Sequence, residues 1–172
     1  MHDLYYNANL RTLRVGSGDP IPVPPLDASR VAAMGSNALL DTGCSFLVLE
    51  AGTHAAVMDA FAAADPRLPD LVEQSRRAFA NGGGLEQHAV HALDWPDLHF
   101  GFEAPDGATT EVRVPASQYW PRNALKPGQT LCLLAPALAH FGGQSILGLP
   151  LFAGRYAVFD RDRAGGAGVV RL

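Results

Sequence analysis

Cysteine is scarce in this chain of 172 residues, which contains only Cys44 and Cys132. Two cysteines cannot form the disulfide framework by which small secreted domains compensate for a small core. The fold therefore has to be stabilised by burial of apolar side chains. With 48% hydrophobic residues, the chain has enough of them to build a sizeable core and is not disordered.

Charge and long apolar runs are also limited. The formal net charge is −4 and charged residues make up 17% of the chain, so there is no basic surplus for nucleic acid or an anionic membrane. The apolar runs are far too short to span a bilayer. No positively charged start precedes an apolar stretch, so no signal peptide is predicted. If Met1 is the natural start, we expect the product to stay inside the cell.

Glycine and proline, in contrast, are plentiful, with 18 and 13 copies. They favour many turns and short strands over long helices. The length suits one domain, which we place at 1–172. Alternating residues predict a hairpin, with strands over 98–102 and 110–114, and a β pattern from Gln87 onward. Helical spacing predicts two short helices, one beginning near Thr53 and one over 69–80.

The most distinctive stretch is 38–49, in which two apolar runs flank an acidic turn. Asp41 lies between runs that are typical of buried strands, and Gly43 permits a tight turn. A buried, unpaired carboxylate costs several kcal/mol or becomes protonated. Asp41 therefore needs hydrogen-bond donors, for which Thr42 and Ser45 are candidates, or it takes part in proton chemistry.

The sequence Asp-Thr-Gly at 41–43, with a serine two places on, resembles the catalytic loop of the pepsin-like aspartic proteases. Two other stretches match that family in order and spacing. Residues 4–16 resemble the strands that open its C-terminal lobe, and Ser145 to Phe152, followed by 155–160, resembles the closing motif of that lobe. The resemblance implies a mainly β fold, a single pepsin-like lobe of the double-psi type with two short helices.

In this family two carboxylates share one proton and activate a water molecule that attacks a peptide bond. This chain has one Asp-Thr-Gly loop, so the resemblance implies half of an active site and an inactive monomer. The second half would come from an N-terminal lobe, which we favour, or from a second copy of the chain. The substrate would be an extended peptide or protein, with no cofactor and no metal. The alternative is a non-catalytic peptide- or protein-binding module on the same fold.

Roles within the catalytic loop follow from the resemblance. Asp41 would be the catalytic residue. Thr42 would hydrogen-bond to the partner loop, Gly43 would place its amide near the carboxylate, and Ser45 would bond the outer oxygen of Asp41.

Substrate contacts are implied for Tyr5, Cys44 and Ile146. Cys44 stands where the family usually has threonine or serine, and Leu149 replaces a common acidic residue. The family lobe commonly carries one disulfide. Cys132 lies about where one partner would be, but no cysteine lies near 87–93. A bridge from Cys44 would pull the loop away from the cleft, so we predict two free thiols, which favours a reducing compartment.

A metal site is not predicted. His88 and His91 have a spacing that could bind a metal from a helix, but they fall in a predicted strand and lack a third ligand.

Overall fold

The computed structural model describes residues 6–137, 143–160, 162 and 168–172. The strands, in chain order, are β1 Tyr6–Ala8, β2 Leu10–Val15, β3 Ile21–Pro22, β4 Ala38–Leu40, β5 Leu47–Leu49, β6 Leu85–Glu86, β7 Leu98–Glu103, β8 Thr109–Val114, β9 Gln129–Thr130, β10 Leu134–Pro136, β11 Ser145–Leu147, β12 Val158–Asp160 and β13 Val169–Arg171. The helices are α1 Ala28–Met34, α2 Ala51–Ala64, α3 Arg67–Ala80, α4 Gln87–His91, α5 Ala116–Tyr119 and α6 Leu149–Phe152.

A five-stranded sheet in the order β1-β4-β11-β5-β10 carries the central stretch of the sequence. Strand β11 lies between β4 and β5, parallel to β4 and antiparallel to β5. The two strands that flank Asp41 are therefore separated by a strand from the far end of the chain. This arrangement fixes both ends of the Asp41 loop on one rigid element.

A four-stranded sheet in the order β3-β2-β7-β8 packs beside it. The predicted hairpin is confirmed, with β7 and β8 paired antiparallel from Leu98↔Val114 to Glu103↔Thr109. Strand β3, which contains a proline, lies at the sheet edge, as proline requires because it lacks a backbone donor. Two smaller sheets pair β12 with β13 and β6 with β9.

The two long helices form a hairpin against these sheets. Helix α2 begins two residues before the expected start because the Glu50 carboxylate caps it, accepting hydrogen bonds from the amides of Gly52 and Thr53. Helix α3 runs over nearly the predicted range, and Pro66 precedes its first residue. Among the described residues no helix is long and apolar enough to cross a membrane.

The core contains a cluster of aromatic side chains, one of which, Phe61, belongs to helix α2. The Trp95 ring packs edge-on against Phe61 and lies 4.8 Å, centroid to centroid, from Trp120. Tyr119 is buried too, and its hydroxyl donates a 2.6 Å hydrogen bond to the Pro96 carbonyl. A domain with such a core does not need disulfides, and both cysteines are free thiols, as predicted.

The mainly β class is confirmed, but the described part has more helix than the two short helices expected. Helices α2 and α3 have 14 residues each, and four shorter ones accompany them. The prediction of strand from Gln87 onward is wrong for residues 87–91, which form α4 with only Val90 buried. The sequence also predicts a short helical turn over 137–141, after Pro136, and a turn over 161–166, and all of these residues except 137 and 162 lie outside the described ones.

Candidate functional site

The Asp41 loop connects β4 to β5 and is fastened to β11. The amide of Asp41 donates to the Leu147 carbonyl at 3.1 Å, and the amide of Cys44 donates to the Asp41 carbonyl at 3.2 Å. The loop is thus closed on itself and tied to the strand between its two ends. Its backbone is well fixed, although Thr42, Gly43 and Ser45 are exposed.

A very close backbone approach holds the other side of the loop. The amide of Gly148 donates to the Phe46 carbonyl at 3.0 Å, and the amide of Leu149 donates to the Cys44 carbonyl at 2.8 Å. A Cβ atom at Gly148 would lie 2.2 Å from the Cys44 oxygen and 2.5 Å from the Phe46 oxygen. Only glycine fits this contact without separating the two segments.

The Asp41 carboxylate has one oxygen bound and one open. The amide of Gly43 donates to Oδ1 at 2.8 Å, which closes a local turn of the kind that aspartate often caps. Oδ2 accepts no hydrogen bond from the described part of the chain, and no basic side chain there forms an ion pair with Asp41. The side chain is half-buried, so the expected burial of this carboxylate is only partial. One oxygen is left for an outside group.

The predicted loop residues share this exposed surface but not all of the expected contacts. Gly43 places its amide on the carboxylate as anticipated. Ser45, however, does not reach Asp41. It is exposed and makes no hydrogen bond to the carboxylate within the described ranges. Thr42 is exposed as well and makes no hydrogen bond within the described ranges.

The two thiols lie in different surroundings. Cys44 is half-buried in the loop, with its Sγ 3.4 Å from the Phe46 carbonyl as a weak donor. Cys132 is buried, and burial raises the pKa of its thiol to about 12. Of the two thiols, Cys44 is therefore the one that belongs to the Asp41 loop and is partly open to solvent.

An apolar row crosses the five-stranded sheet next to this loop. Ile146 lies beside Leu39 on one neighbouring strand and beside Val48 on the other. All three are half-buried, whereas the residues that alternate with them, such as Leu40 and Leu147, are in the core. We call Leu39, Val48 and Ile146 the apolar row. Sequence reasoning selected only Ile146, although the two-residue period of strands places the other two on the same face.

Tyr5 and the pair His88 and His91 were also considered in the sequence as binding residues. Tyr5, a predicted substrate contact, lies outside the described residues. His88 and His91 lie on the short helix α4 rather than on a strand. No group of three or more metal-ligating side chains occurs in the described part of the chain.

No protein-family model matches the sequence, and no curated protein matches it significantly. Solved structures do match: basic 7S globulin from soybean, with a TM-score of 0.55 at 15% identity, and conglutin gamma from lupine seeds, with 0.54 at 11%. The alignments cover 94% and 92% of this chain but 39% and 35% of the two globulins. The chain thus spans well under half the length of either.

Both globulins have the pepsin-like fold, and both are named as globulins rather than as peptidases. At this identity the similarity establishes the architecture alone, and the chain has a mainly β, pepsin-like fold.

Proposed function

We propose that this chain supplies one carboxylate of a two-carboxylate site for peptide-bond hydrolysis. The observation that carries the proposal is the state of Asp41. Its Oδ1 is fixed by the Gly43 amide, and Oδ2 is open on an exposed loop. A purely structural aspartate needs only the hydrogen bond to Oδ1. A catalytic carboxylate needs that hydrogen bond and also a free second oxygen, because Oδ2 has to contact the water molecule or the partner carboxylate.

A second carboxylate has to come from outside the chain. Two carboxylates about 3 Å apart cannot both ionise, so one acts as acid and the other as base on the water between them. The sequence has one Asp-Thr-Gly loop. The partner is an N-terminal lobe of the same enzyme or a second copy of this chain, and a lone monomer is inactive.

The partner would approach the loop from its exposed side. Thr42, Gly43 and Ser45 are all exposed there. Leu149, whose amide holds the Cys44 carbonyl, is 47% exposed. A partner that covers the loop would also bury this apolar side chain.

The apolar row supports an extended peptide as substrate. Side chains of an extended peptide alternate along its length, and the row offers half-buried Leu39, Val48 and Ile146 beside the carboxylate. Tyr5 and Cys44 remain proposed substrate contacts, on the basis of the resemblance to the pepsin-like aspartic proteases. We therefore expect cleavage next to apolar residues.

The second candidate is a peptide- or protein-binding module without turnover. Two observations favour it. The structural relatives are named as globulins, and a thiol at Cys44 stands where the family usually has a hydroxyl. The same exposed loop and apolar row would then hold a peptide without cutting it.

The test measures cleavage of a quenched fluorescent peptide with apolar residues at its centre, from acid to neutral pH. The chain is assayed alone over a wide concentration range, and as the product of its whole natural reading frame. Asp41→Asn removes the proposed acid. Asp59→Asn is the matched control, because Asp59 is an exposed aspartate on helix α2.

Activity should be absent in the dilute chain and appear in the reading-frame product, or with the square of concentration if two copies pair. It should vanish in Asp41→Asn and persist in Asp59→Asn. Cleavage that stays linear in concentration down to the monomer, or that survives Asp41→Asn, overturns the proposal. Peptide binding that is equal in both variants, with no cleavage in either preparation, favours the binding module instead.

A further inference from the structure

The Asp41 loop has a third contact, made by helix α3. The Phe46 ring, at the end of the loop, packs against Phe79 of helix α3 with ring centroids 5.5 Å apart and planes tilted by 55°. Phe46 is half-buried and Phe79 is 44% exposed. The contact with Phe46 is thus the one by which helix α3 reaches the end of the loop with an aromatic ring.

Helix α3 is firmly anchored along the face that ends in Phe79. Leu68, Val72, Ser75 and Phe79 follow each other at spacings of four, three and four residues, which places them on one side of the helix. The first three are buried. The Ser75 hydroxyl also accepts a 2.8 Å hydrogen bond from the amide of Cys132. Phe79 is therefore the last residue of a stripe whose earlier part lies in the core.

The loop end that Phe79 contacts carries two of the hydrogen bonds that restrain the loop. The Phe46 carbonyl accepts from the Gly148 amide at 3.0 Å and faces the Cys44 thiol at 3.4 Å. Displacing Phe46 would weaken both contacts and thereby loosen the segment from Asp41 to Phe46. The outer side of this segment is uncovered by the described chain, so the inner side has to supply the rigidity.

We infer that Phe79 is a positioning residue, which acts through Phe46 to hold the Asp41 loop in the geometry that a second carboxylate requires. This inference rests on the proposed function for its purpose, because proton sharing tolerates little movement of either carboxylate. The bracing itself does not depend on turnover and can be measured in the isolated chain.

Cys44 provides the measurement, because its thiol lies inside the loop and is half-buried. Alkylation by iodoacetamide is followed at both cysteines by peptide mass spectrometry under native conditions. Phe79→Ala should raise the Cys44 rate roughly two- to tenfold, the range expected for loss of an aromatic pair. The rate at buried Cys132, which reports wider opening, should change much less.

Two variants separate bracing from general destabilisation. Phe79→Tyr keeps the ring and should retain the original Cys44 rate. Val31→Ala is the matched control, since Val31 is an apolar helix residue with 45% exposure, and it should leave Cys44 unchanged.

An unchanged Cys44 rate in Phe79→Ala, or equal acceleration of both cysteines, overturns the inference. So does a Cys44 rate in Phe79→Tyr as high as in Phe79→Ala. Selective acceleration of Cys44 together with no peptide cleavage in any preparation would uphold the bracing and overturn only the proposed function.

Discussion

Replacement of Gly148 by alanine should be one of the most damaging single-methyl changes in the described chain. The added Cβ would lie 2.2 Å and 2.5 Å from the carbonyl oxygens of Cys44 and Phe46. Both obstacles are backbone atoms, which cannot rotate away as a side chain can. Overpacking costs about 1–3 kcal/mol. Losing the hydrogen bonds from Gly148 and Leu149 to the loop adds about 1 kcal/mol each. We expect a total of about 3–5 kcal/mol, a large part of the roughly 5–15 kcal/mol that stabilises a typical domain.

Urea unfolding followed by tryptophan fluorescence measures this loss. Gly83→Ala is the control, because the nearest atom to its added Cβ would be 3.7 Å away and its stability should change by less than about 0.5 kcal/mol. Faster alkylation of Cys44 in Gly148→Ala than in Gly83→Ala would place the damage in the loop. A Gly148→Ala protein within about 1 kcal/mol of the unmodified chain would refute the reasoning, because the close backbone approach would then be easily relaxed.

Three further predictions use the described contacts. The buried amide of Asn37 hydrogen-bonds to three backbone groups, two of them on Leu10. Asn37→Ala should therefore lower the free energy of unfolding, measured in urea, by about 3 kcal/mol or more, and a loss below about 1 kcal/mol would contradict this. Burial lowers the pKa of the His54 imidazole, so the unfolded chain binds that proton more readily and stability should fall as the pH drops below about 6.5. His54→Gln should flatten this dependence, and an unchanged slope would exclude His54 as its source. Native thiol titration near neutral pH should count one fast thiol, Cys44, with Cys132 reacting only on unfolding; two fast thiols would show that the burial of Cys132 is not maintained.

The strands around Asp41 and the hairpin were accessible from sequence because local pattern and tertiary environment agree there. Strands β7 and β8 alternate in sequence and pair in register. Helix α4 was not accessible. Its five residues supply a single buried side chain, Val90, too few for a helical period to be seen. The contacts that fix it are tertiary: the Gln87 amide donates to the Gly128 carbonyl, and the Asn123 amide donates to the side-chain oxygen of Gln87.

The candidate site likewise has a part that the sequence predicts and a part that it does not. A motif could indicate the Asp41 loop and the amide of Gly43 because both are local. Ser45 was expected to bond the carboxylate, but its side chain is on the exposed surface instead. The contact of Phe79 with Phe46 joins residues far apart in the sequence and follows no repeated pattern. It could be found only once the position of helix α3 was known.

The insertion of β11 between β4 and β5 has a consequence for the order of assembly. Residues 38–49 are synthesised about a hundred residues before the strand that separates their two halves, and such distant pairings form slowly. Until Ser145–Leu147 arrives, β4 and β5 have no common neighbour and the acidic turn has no fixed shape. A nascent chain that stops short of this segment should therefore hold no competent half-site. The hydrolytic chemistry we propose would be withheld until this strand has been synthesised.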